Sequence, residues 1–114
     1  MTPFRDQVRQ SLVNRLNEDS DMVTVAQALN LSTRTLVRRL QEEGTTFLQI
    51  KDQIRRDTAL RLLMESPQPV EDIAALIGFE SLTAFHRAFK TWTGSTPLAY
   101  RSKGERRTGD RRQP

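Results

Sequence analysis

The stretch IAALIGFESLTAFHRAFKTWTG, residues 73–94, decides the fold of this 114-residue chain, because an earlier stretch has the same pattern. The earlier copy is VAQALNLSTRTLVRRLQEEG, residues 25–44, and Gly44 ends it where Gly94 ends the later one. Each copy has the apolar spacing of a short helix, then a tight turn, then a longer helix, which is the arrangement of a helix-turn-helix unit. The repeat therefore predicts two helix-turn-helix units in one chain.

The apolar spacing outside the two copies is also helical, and no alternation of period two has a useful length. Ser32 and Ser81 precede the longer helices, where a serine hydroxyl can accept a hydrogen bond from a free backbone N–H group. We therefore predict an all-α fold of about seven helices, in which a long linker helix joins two helix-turn-helix subdomains. The predicted helices cover residues 3–17, 24–29, 33–43, 46–65, 70–77 and 82–93, followed by a short helix from residue 97.

These helices divide the chain into four predicted segments. Residues 1–45 form the first helix-turn-helix lobe, residues 46–66 the linker helix, residues 67–101 the second lobe, and residues 102–114 a basic disordered tail. Tyr100 and Arg101 are expected to close the second lobe rather than to bind a ligand.

The net charge of +4 is concentrated in the tail. Residues 1–100 contain 12 basic and 12 acidic side chains, whereas residues 101–114 contain six basic and two acidic ones. The predicted lobes are not basic as a whole, so any nucleic-acid contact must depend on the local placement of charge. The tail itself fits two interpretations, a sequence-independent and salt-dependent affinity for DNA or an inert solubilising end.

The chain contains one histidine and no cysteine. This composition excludes disulfides, thiolate zinc sites and a cysteine nucleophile, and it predicts no metal site and no cofactor. The sequence has no run of about 18 apolar residues to span a membrane, and no apolar signal segment near its N-terminus. We therefore expect a cytoplasmic, nucleoid-associated protein that is not an enzyme and has no small-molecule effector site within this chain.

Each of the two longer helices has an apolar face and an opposite polar face when its residues are placed at 100° intervals. On the later helix, Phe85, Phe89 and Trp92 cluster on the apolar face. On the earlier helix, Leu36 and Leu40 take the same place. The opposite faces carry Arg34, Val37, Arg38 and Gln41 on the earlier helix and Thr83, His86, Arg87 and Lys90 on the later one, with Thr33 and Leu82 at their edges.

Two such faces suit the major groove of DNA, which is wide enough to admit an α-helix. Arginine can bind guanine through two hydrogen bonds, and threonine or leucine methyl groups can contact the methyl group of thymine. The capping hydroxyls and the helix N-termini suit phosphate contacts. A linker helix of about 20 residues spans roughly 30 Å, close to the DNA repeat of about 34 Å, so one chain can place both faces in successive major grooves. The simpler interpretation, two solvated polar faces, is weakened because both copies have the same design.

His86 is the single histidine, and its surroundings in the sequence narrow its role. As a general base it lacks a nucleophile or a carboxylate at a fixed local spacing, and as a metal ligand it lacks companions. Its angle on the helix differs from that of Phe85 and Phe89, which argues against a core position. Contact with DNA and plain exposure to solvent are both compatible with the pattern.

The most specific motif is IAALIGFESLTAFHRAFKTWTGSTPLAYR, residues 73–101. It matches the pattern I-A-x3-G-F-x5-F-x-R-x-F-K-x3-G-x-[ST]-P-x2-[YF]-R, and through it the chain resembles the DNA-binding domain of the AraC/XylS family of bacterial transcription regulators. The resemblance covers about residues 25–101. Residues 31–47, LSTRTLVRRLQEEGTTF, are similar to a subgroup whose full-length members carry a large N-terminal ligand-binding domain.

The resemblance implies sequence-specific binding of double-stranded DNA, regulation of bacterial transcription and contact with RNA polymerase. It implies base contacts at Arg34, Val37, Arg38, Leu82, Thr83, His86 and Arg87. The DNA backbone, or the edge of each site, is expected to meet Ser32, Thr33, Gln41, Ser81 and Lys90. Val37 stands where a polar side chain is frequent in the family, so its contact is expected to be apolar. An alternative of another class is a helical protein-interaction module, such as an adaptor that docks on RNA polymerase, without sequence-specific DNA binding.

Overall fold

The computed structural model describes residues 2–16 and 21–112, with side chains described up to Gly104. Within these residues the chain forms seven α-helices and no strand, which confirms the predicted all-α fold. The helices are α1 (Phe4–Val13), α2 (Met22–Ala28), α3 (Thr33–Glu42), α4 (Phe47–Glu65), α5 (Val70–Leu76), α6 (Leu82–Thr93) and α7 (Pro97–Arg112). The pairs α2–α3 and α5–α6 are the two helix-turn-helix units that the repeat predicts.

The chain divides into two compact units, Met1–Arg55 (unit 1) and Arg56–Pro114 (unit 2). The division falls inside α4, so residues 47–55 belong to unit 1 and residues 56–65 to unit 2. Unit 1 contains the first helix-turn-helix pair and unit 2 the second. The finer segment boundaries expected from the sequence, at residues 45, 66 and 101, stay predictions.

Unit 1 has an aliphatic core to which Phe4 adds an aromatic ring. Helices α1, α2 and α3 pack against one another, and the buried residues of α1 recur every four positions, which places them on one face of that helix. Leu36 and Leu40 are fully buried and anchor α3 in the unit, as predicted. The buried apolar residues of this unit are Phe4, Val8, Leu12, Leu16, Val25, Ala26, Leu36, Leu40, Ile50 and Ile54.

The stretch between α1 and α2 was predicted less well than the helices themselves. α1 ends at Val13 and not near Asn17, because side chains just beyond it take up free carbonyl groups of its last turn. The Asn14 amide donates to the Gln10 carbonyl at 3.4 Å, and the Arg15 guanidinium donates to the Ser11 carbonyl at 3.1 Å. The Asn17 end of the predicted helix lies outside the described residues.

Unit 2 is built around a cluster of aromatic rings that contact one another edge to face or at a tilt. Phe85 lies with its ring centre 5.4 Å from that of Phe79 and 5.8 Å from that of Phe89. Phe89 also lies 5.6 Å from Tyr100 and 6.2 Å from Trp92. Phe85 and Phe89 are fully buried, as the apolar face of the helix predicts. These two side chains fix α6 in its unit.

Arg101 closes the C-terminal end of α4 within unit 2. Its Nε donates to the Leu63 carbonyl at 3.1 Å, and one of its Nη atoms donates to the Ser66 carbonyl at 3.0 Å. The last carbonyls of a helix have no partner inside the helix, and a positive charge there is favoured by the helix dipole. These contacts confirm that Arg101 helps to close the second lobe.

The turns of the two helix-turn-helix pairs have the same backbone design. After α2 the N–H group of Leu31 donates to the Ala26 carbonyl at 2.9 Å, and after α5 the N–H group of Phe79 donates to the Ala74 carbonyl at 2.9 Å. Each turn needs one residue with positive φ, which is Asn30 at 60° in the first and Gly78 at 90° in the second. Asparagine and glycine are the residues that most readily adopt this conformation.

The last helix is longer than the sequence predicted, since we expected a short helix followed by a disordered tail. α7 runs from Pro97 to Arg112. No proline follows until Pro114, the many arginines favour helix, and glycines at residues 104 and 109 each weaken a helix by about 1 kcal/mol without ending it. α7 is therefore longer than the short final helix that was predicted, while the assignment of residues 102–114 to a disordered tail stays a prediction, and residues 113 and 114 lie outside the described part of the chain.

Candidate nucleic-acid interface

α3 presents the first predicted DNA-contacting surface. The hydroxyl of Ser32 accepts a hydrogen bond from the backbone N–H of Thr35 at 3.1 Å, which caps the helix as predicted. Because Leu36 and Leu40 are buried, the opposite side of α3 faces solvent. This side, here called the α3 face, consists of Arg34, Val37, Arg38 and Gln41, which are all exposed, with Thr33 half-buried at its edge.

The α3 face forms one side of a shallow depression of about 540 Å³ in unit 1. Met22, the first residue of α2, contributes an apolar side chain to the same depression. The depression thus combines the guanidinium groups of Arg34 and Arg38 with the apolar side chains of Val37 and Met22. Its lining residues are Met22, Thr33, Arg34, Thr35, Val37, Arg38 and Gln41.

Arg38 is not free of interactions in this unit. Its Nε lies 3.5 Å from an Oε atom of Glu42, one helical turn further on, and both side chains are about two-thirds exposed, at 66% and 67%. An exposed pair at this spacing contributes only about 0.2–0.5 kcal/mol. Arg38 can therefore leave Glu42 for another partner at a small cost in free energy.

α6 presents the second predicted surface with the same construction. The hydroxyl of Ser81 accepts a hydrogen bond from the backbone N–H of Ala84 at 3.1 Å, which again caps the helix as predicted. Phe85 and Phe89 hold the inner side of α6 in the core. The outer side, here called the α6 face, consists of Leu82, Thr83, His86, Arg87 and Lys90, which are all exposed.

His86 is exposed on the α6 face, so it is not a core histidine. Its ring centre lies 6.5 Å from that of Phe85, at the border between the outer face and the aromatic cluster.

The start of α2 was predicted two residues too late, because the sequence at residues 18–21 was interpreted only as a helix breaker. The Asp21 carboxylate accepts a hydrogen bond from the Thr24 backbone N–H at 2.7 Å, which caps α2 and starts it at Met22 instead of Thr24. Hydrogen bonds from Thr24 and, to a smaller extent, the Lys51 ammonium lower the pKa of Asp21. The signal available in the sequence was Asp21 directly before the apolar residues Met22 and Val23, since aspartate is a preferred residue at that position.

Two kinds of feature are absent from the part of the chain that the structure describes. No helix there is both long enough and apolar enough to cross a membrane. No group of three or more histidine, cysteine, aspartate or glutamate side chains lies close enough together to hold a metal ion, again among the described residues.

Comparison with known proteins identifies the family of this domain. A family model described as a helix-turn-helix domain matches residues 25–103. The chain is 39% identical over 94 residues to the ornithine utilization regulator of Pseudomonas aeruginosa, which covers 82% of this chain and 28% of that protein. It is 35% identical over 97 residues to the transcriptional activator CfaD of Escherichia coli, which covers 85% of this chain and 37% of that protein. The aligned part of the chain thus spans only 28% and 37% of the lengths of these two regulators.

A solved structure is similar over nearly the whole chain. The DNA-binding domain of AdpA, described as a global transcriptional factor and solved with a target DNA, is 32% identical, with a TM-score of 0.81. The alignment covers 94% of this chain and 96% of that domain. The sequence motif, the two capped helix-turn-helix pairs and the family match lead to one conclusion: the chain belongs to the AraC family of helix-turn-helix domains.

Proposed function

We propose that the chain binds double-stranded DNA in a sequence-specific manner, with the α3 face and the α6 face in successive major grooves, and thereby regulates bacterial transcription. The observation that carries this proposal is the shared construction of the two faces. Each helix is held by two fully buried side chains and exposes arginine on its opposite side. The solved complex of the similar AdpA domain with a target DNA supports DNA as the partner of this chain.

The exposed side chains have the chemistry that base recognition requires. We propose that Arg34, Arg38 and Arg87 bind guanine, since a guanidinium group can donate two hydrogen bonds to the O6 and N7 atoms of that base. Leu82 and Thr83 carry methyl groups that fit against thymine, and His86 can donate to or accept from a base edge.

The DNA backbone is the proposed partner of the residues around these faces. Ser32, Thr33 and Ser81 lie at the N-terminal ends of α3 and α6, where hydroxyl and backbone N–H groups can donate to phosphate. Lys90 and Gln41 lie further along each helix and suit phosphate or the edge of the site. Such contacts fix the orientation of the protein on the duplex and carry little sequence information.

Two recognition helices in one chain favour an asymmetric DNA site that one molecule occupies. Once one face is bound, the second binds at the high effective concentration set by the covalent connection between them. Each half-site can therefore be weak while the complete site is strong.

We also propose that the DNA-bound protein contacts RNA polymerase, and that it acts in the cytoplasm at the nucleoid. The support for a polymerase contact is the description of the related protein CfaD as a transcriptional activator. Transcription from a promoter that carries the selected binding site, measured with and without the protein in a purified system, tests this part of the proposal.

The experiment that tests DNA binding starts from a selection of random duplexes with the purified chain. The affinity for the selected duplex is then measured between about 50 and 200 mM salt. We expect the logarithm of the affinity to fall linearly with the logarithm of the salt concentration, because each phosphate contact releases a counterion. An affinity independent of salt, or a selection without any preferred sequence, would favour the protein-interaction module instead.

A further inference from the structure

We propose that Val37 and Met22 together recognise the 5-methyl group of a thymine in the half of the DNA site that unit 1 contacts. This inference rests on the proposed DNA binding and names the base that one part of the surface selects. Met22 thereby becomes a specificity-determining residue on α2, outside the recognition helix itself.

Val37 and Met22 form a continuous apolar patch in unit 1. Both line the 540 Å³ depression of the α3 face, and both line a second, smaller cavity of about 250 Å³. The smaller cavity continues the patch toward Leu40, Phe47 and Leu48. Val37 is 36% exposed and Met22 is half-buried, so both side chains are partly accessible to a ligand and partly packed against the protein.

The chemistry of the major groove favours one occupant for this patch. Thymine is the base that presents a methyl group there, at C5 beside its O4 acceptor, whereas the other bases present only hydrogen-bond donors, acceptors and C–H groups at that edge. Neither valine nor methionine can satisfy such a polar group, and burying it without a partner is costly. A thymine methyl group instead removes apolar surface from water on both sides of the contact.

The polar neighbours of the patch orient the duplex over it. The guanidinium groups of Arg34 and Arg38 line the same depression, and their charge complements the phosphate groups that border a major groove. Gln41, also in the lining, can bind adenine through its amide. The patch is thus flanked by groups that attract DNA and recognise neighbouring bases. A thymine in the major groove fits both the positive charge of these groups and the apolar surface of the patch.

The corresponding position of the second helix-turn-helix pair supports the assignment by contrast. His86 takes the place on α6 that Val37 takes on α3, and a polar imidazole has no preference for a methyl group. The inference therefore applies only to the half of the DNA site that unit 1 contacts. The thymines of the other half serve as the internal reference of the experiment.

The test replaces each thymine of the selected duplex by uracil, one position at a time, which removes the methyl group and leaves base pairing intact. Binding is measured by fluorescence anisotropy with the intact chain. Burial of one methyl group corresponds to about a fourfold change in a binding constant. We expect one thymine, or two adjacent ones, to show a loss of about fourfold with the wild-type protein.

The variants assign that loss to the patch. Val37→Ala is expected to bind the thymine duplex about fourfold more weakly and to lose no further affinity with uracil, and Met22→Ala to reduce the same uracil penalty at the same position. Val13→Ala is the matched control, since Val13 is exposed on α1 outside the depression. This control is expected to keep both the affinity and the uracil penalty, and circular dichroism confirms that each variant is folded.

The outcomes separate this inference from the proposed function. A site with no uracil-sensitive thymine, or a penalty that Val37→Ala leaves unchanged, overturns the inference while salt-dependent binding to the selected duplex persists. If no selected duplex is bound in a salt-dependent manner, the proposed DNA binding itself has failed.

Discussion

Unit 1 fills its core with aliphatic side chains apart from Phe4, whereas unit 2 packs Phe85 and Phe89 of α6 against further aromatic rings. Both units nevertheless hold the helix by two fully buried residues four positions apart and begin it with a capping serine. The backbone design is thus independent of which apolar side chains fill the core. It depends on the spacing of the anchors and on the conformation of the turn.

The two units also differ in the charged residue that completes each of them. In unit 1 the Glu43 carboxylate accepts hydrogen bonds from the backbone N–H groups of Phe4 and Arg5, at 2.9 and 2.8 Å, at the N-terminus of α1. In unit 2 the Arg101 guanidinium donates to carbonyl groups at the C-terminal end of α4. Each charge has the sign that the helix dipole favours at its own helix end.

The exposed faces differ in a third way. The α3 face contains an apolar residue, Val37, and an arginine that already has a carboxylate partner, Glu42. The α6 face carries His86 and Arg87, and no ion pair involves them among the side chains described up to Gly104. The same backbone arrangement thus supports two faces of different chemistry, as the proposed asymmetric DNA site requires.

The largest expected effect concerns the aromatic core of unit 2. Phe89→Ala removes a ring that lies within 5.6 to 6.2 Å of three other ring centres, so we expect a loss of about 3–5 kcal/mol in the free energy of unfolding. Chemical denaturation followed by the fluorescence of Trp92, the one tryptophan of the chain, measures this loss. Leu98→Ala, at an exposed position of the same unit, should stay within about 0.5 kcal/mol of the wild type.

The matching substitution in unit 1 sharpens the comparison. Leu40→Ala removes a fully buried aliphatic anchor of α3, for which we expect a loss of about 2–5 kcal/mol. Far-ultraviolet circular dichroism follows this variant, because tryptophan is absent from unit 1. A Phe89→Ala protein as stable as the Leu98→Ala control would contradict the account of the aromatic cluster.

The next effect concerns DNA binding and leaves the cores intact. Arg87→Ala and Arg38→Ala should each cost about 1–3 kcal/mol of specific binding, or roughly 5- to 150-fold in affinity, at different half-sites. We expect the loss for Arg38 to be the smaller one, because wild-type Arg38 must first leave Glu42. Footprinting on the selected duplex locates each loss, and thermal unfolding should stay close to that of the wild type.

Arg61→Ala is the control for this pair, since Arg61 is an exposed arginine on α4 outside both faces. It removes the same charge and should reduce affinity far less than either variant. Footprints of Arg38→Ala and Arg87→Ala that match the wild type would refute the assignment of the two faces.

The repeat, the helix-turn-helix pairs and both exposed faces were predictable from the sequence, because they depend on local periodicity and on capping residues close by. Ser32 and Ser81 each bond to a backbone group only three residues away. Leu36 and Phe85 could be assigned to the core because helical geometry fixes the angle between residues that are three or four apart. The features that were predicted correctly, the capping contacts and the buried faces of the helices, depend on residues within about ten positions of one another.

The remaining features depend on contacts between distant residues. Glu43 bonds to residues 38 and 39 positions earlier in the chain, and no periodicity indicates such a partner. Met22 lines the same depression as the α3 face only because α2 and α3 pack together.

The smallest expected effect concerns Glu43 and tests how much its charge stabilises unit 1 at the N-terminus of α1. The pKa of Glu43 is lowered from its ordinary value of 4.5, first by the hydrogen bond from the Arg5 backbone N–H and then by that from Phe4, with a further contribution from the charge of Arg39. The Arg39 guanidinium carbon itself lies 4.0 Å from the ring centre of Phe4, the first residue of α1. A carboxylate with a lowered pKa stabilises the fold above its ordinary pKa, and this contribution disappears as the pH falls through the lowered value.

Glu43→Gln keeps the shape of the side chain and removes its charge. At pH 7 we expect a lower melting temperature than that of the wild type, by less than the change for Phe89→Ala, and we expect the difference to shrink as the pH falls below about 4. Glu42→Gln is the neighbouring control, because Glu42 pairs only with the exposed Arg38 among the described contacts. A difference between Glu43→Gln and the wild type that stays constant from pH 7 to pH 3 would contradict the role of the charge, since a purely steric contribution does not titrate.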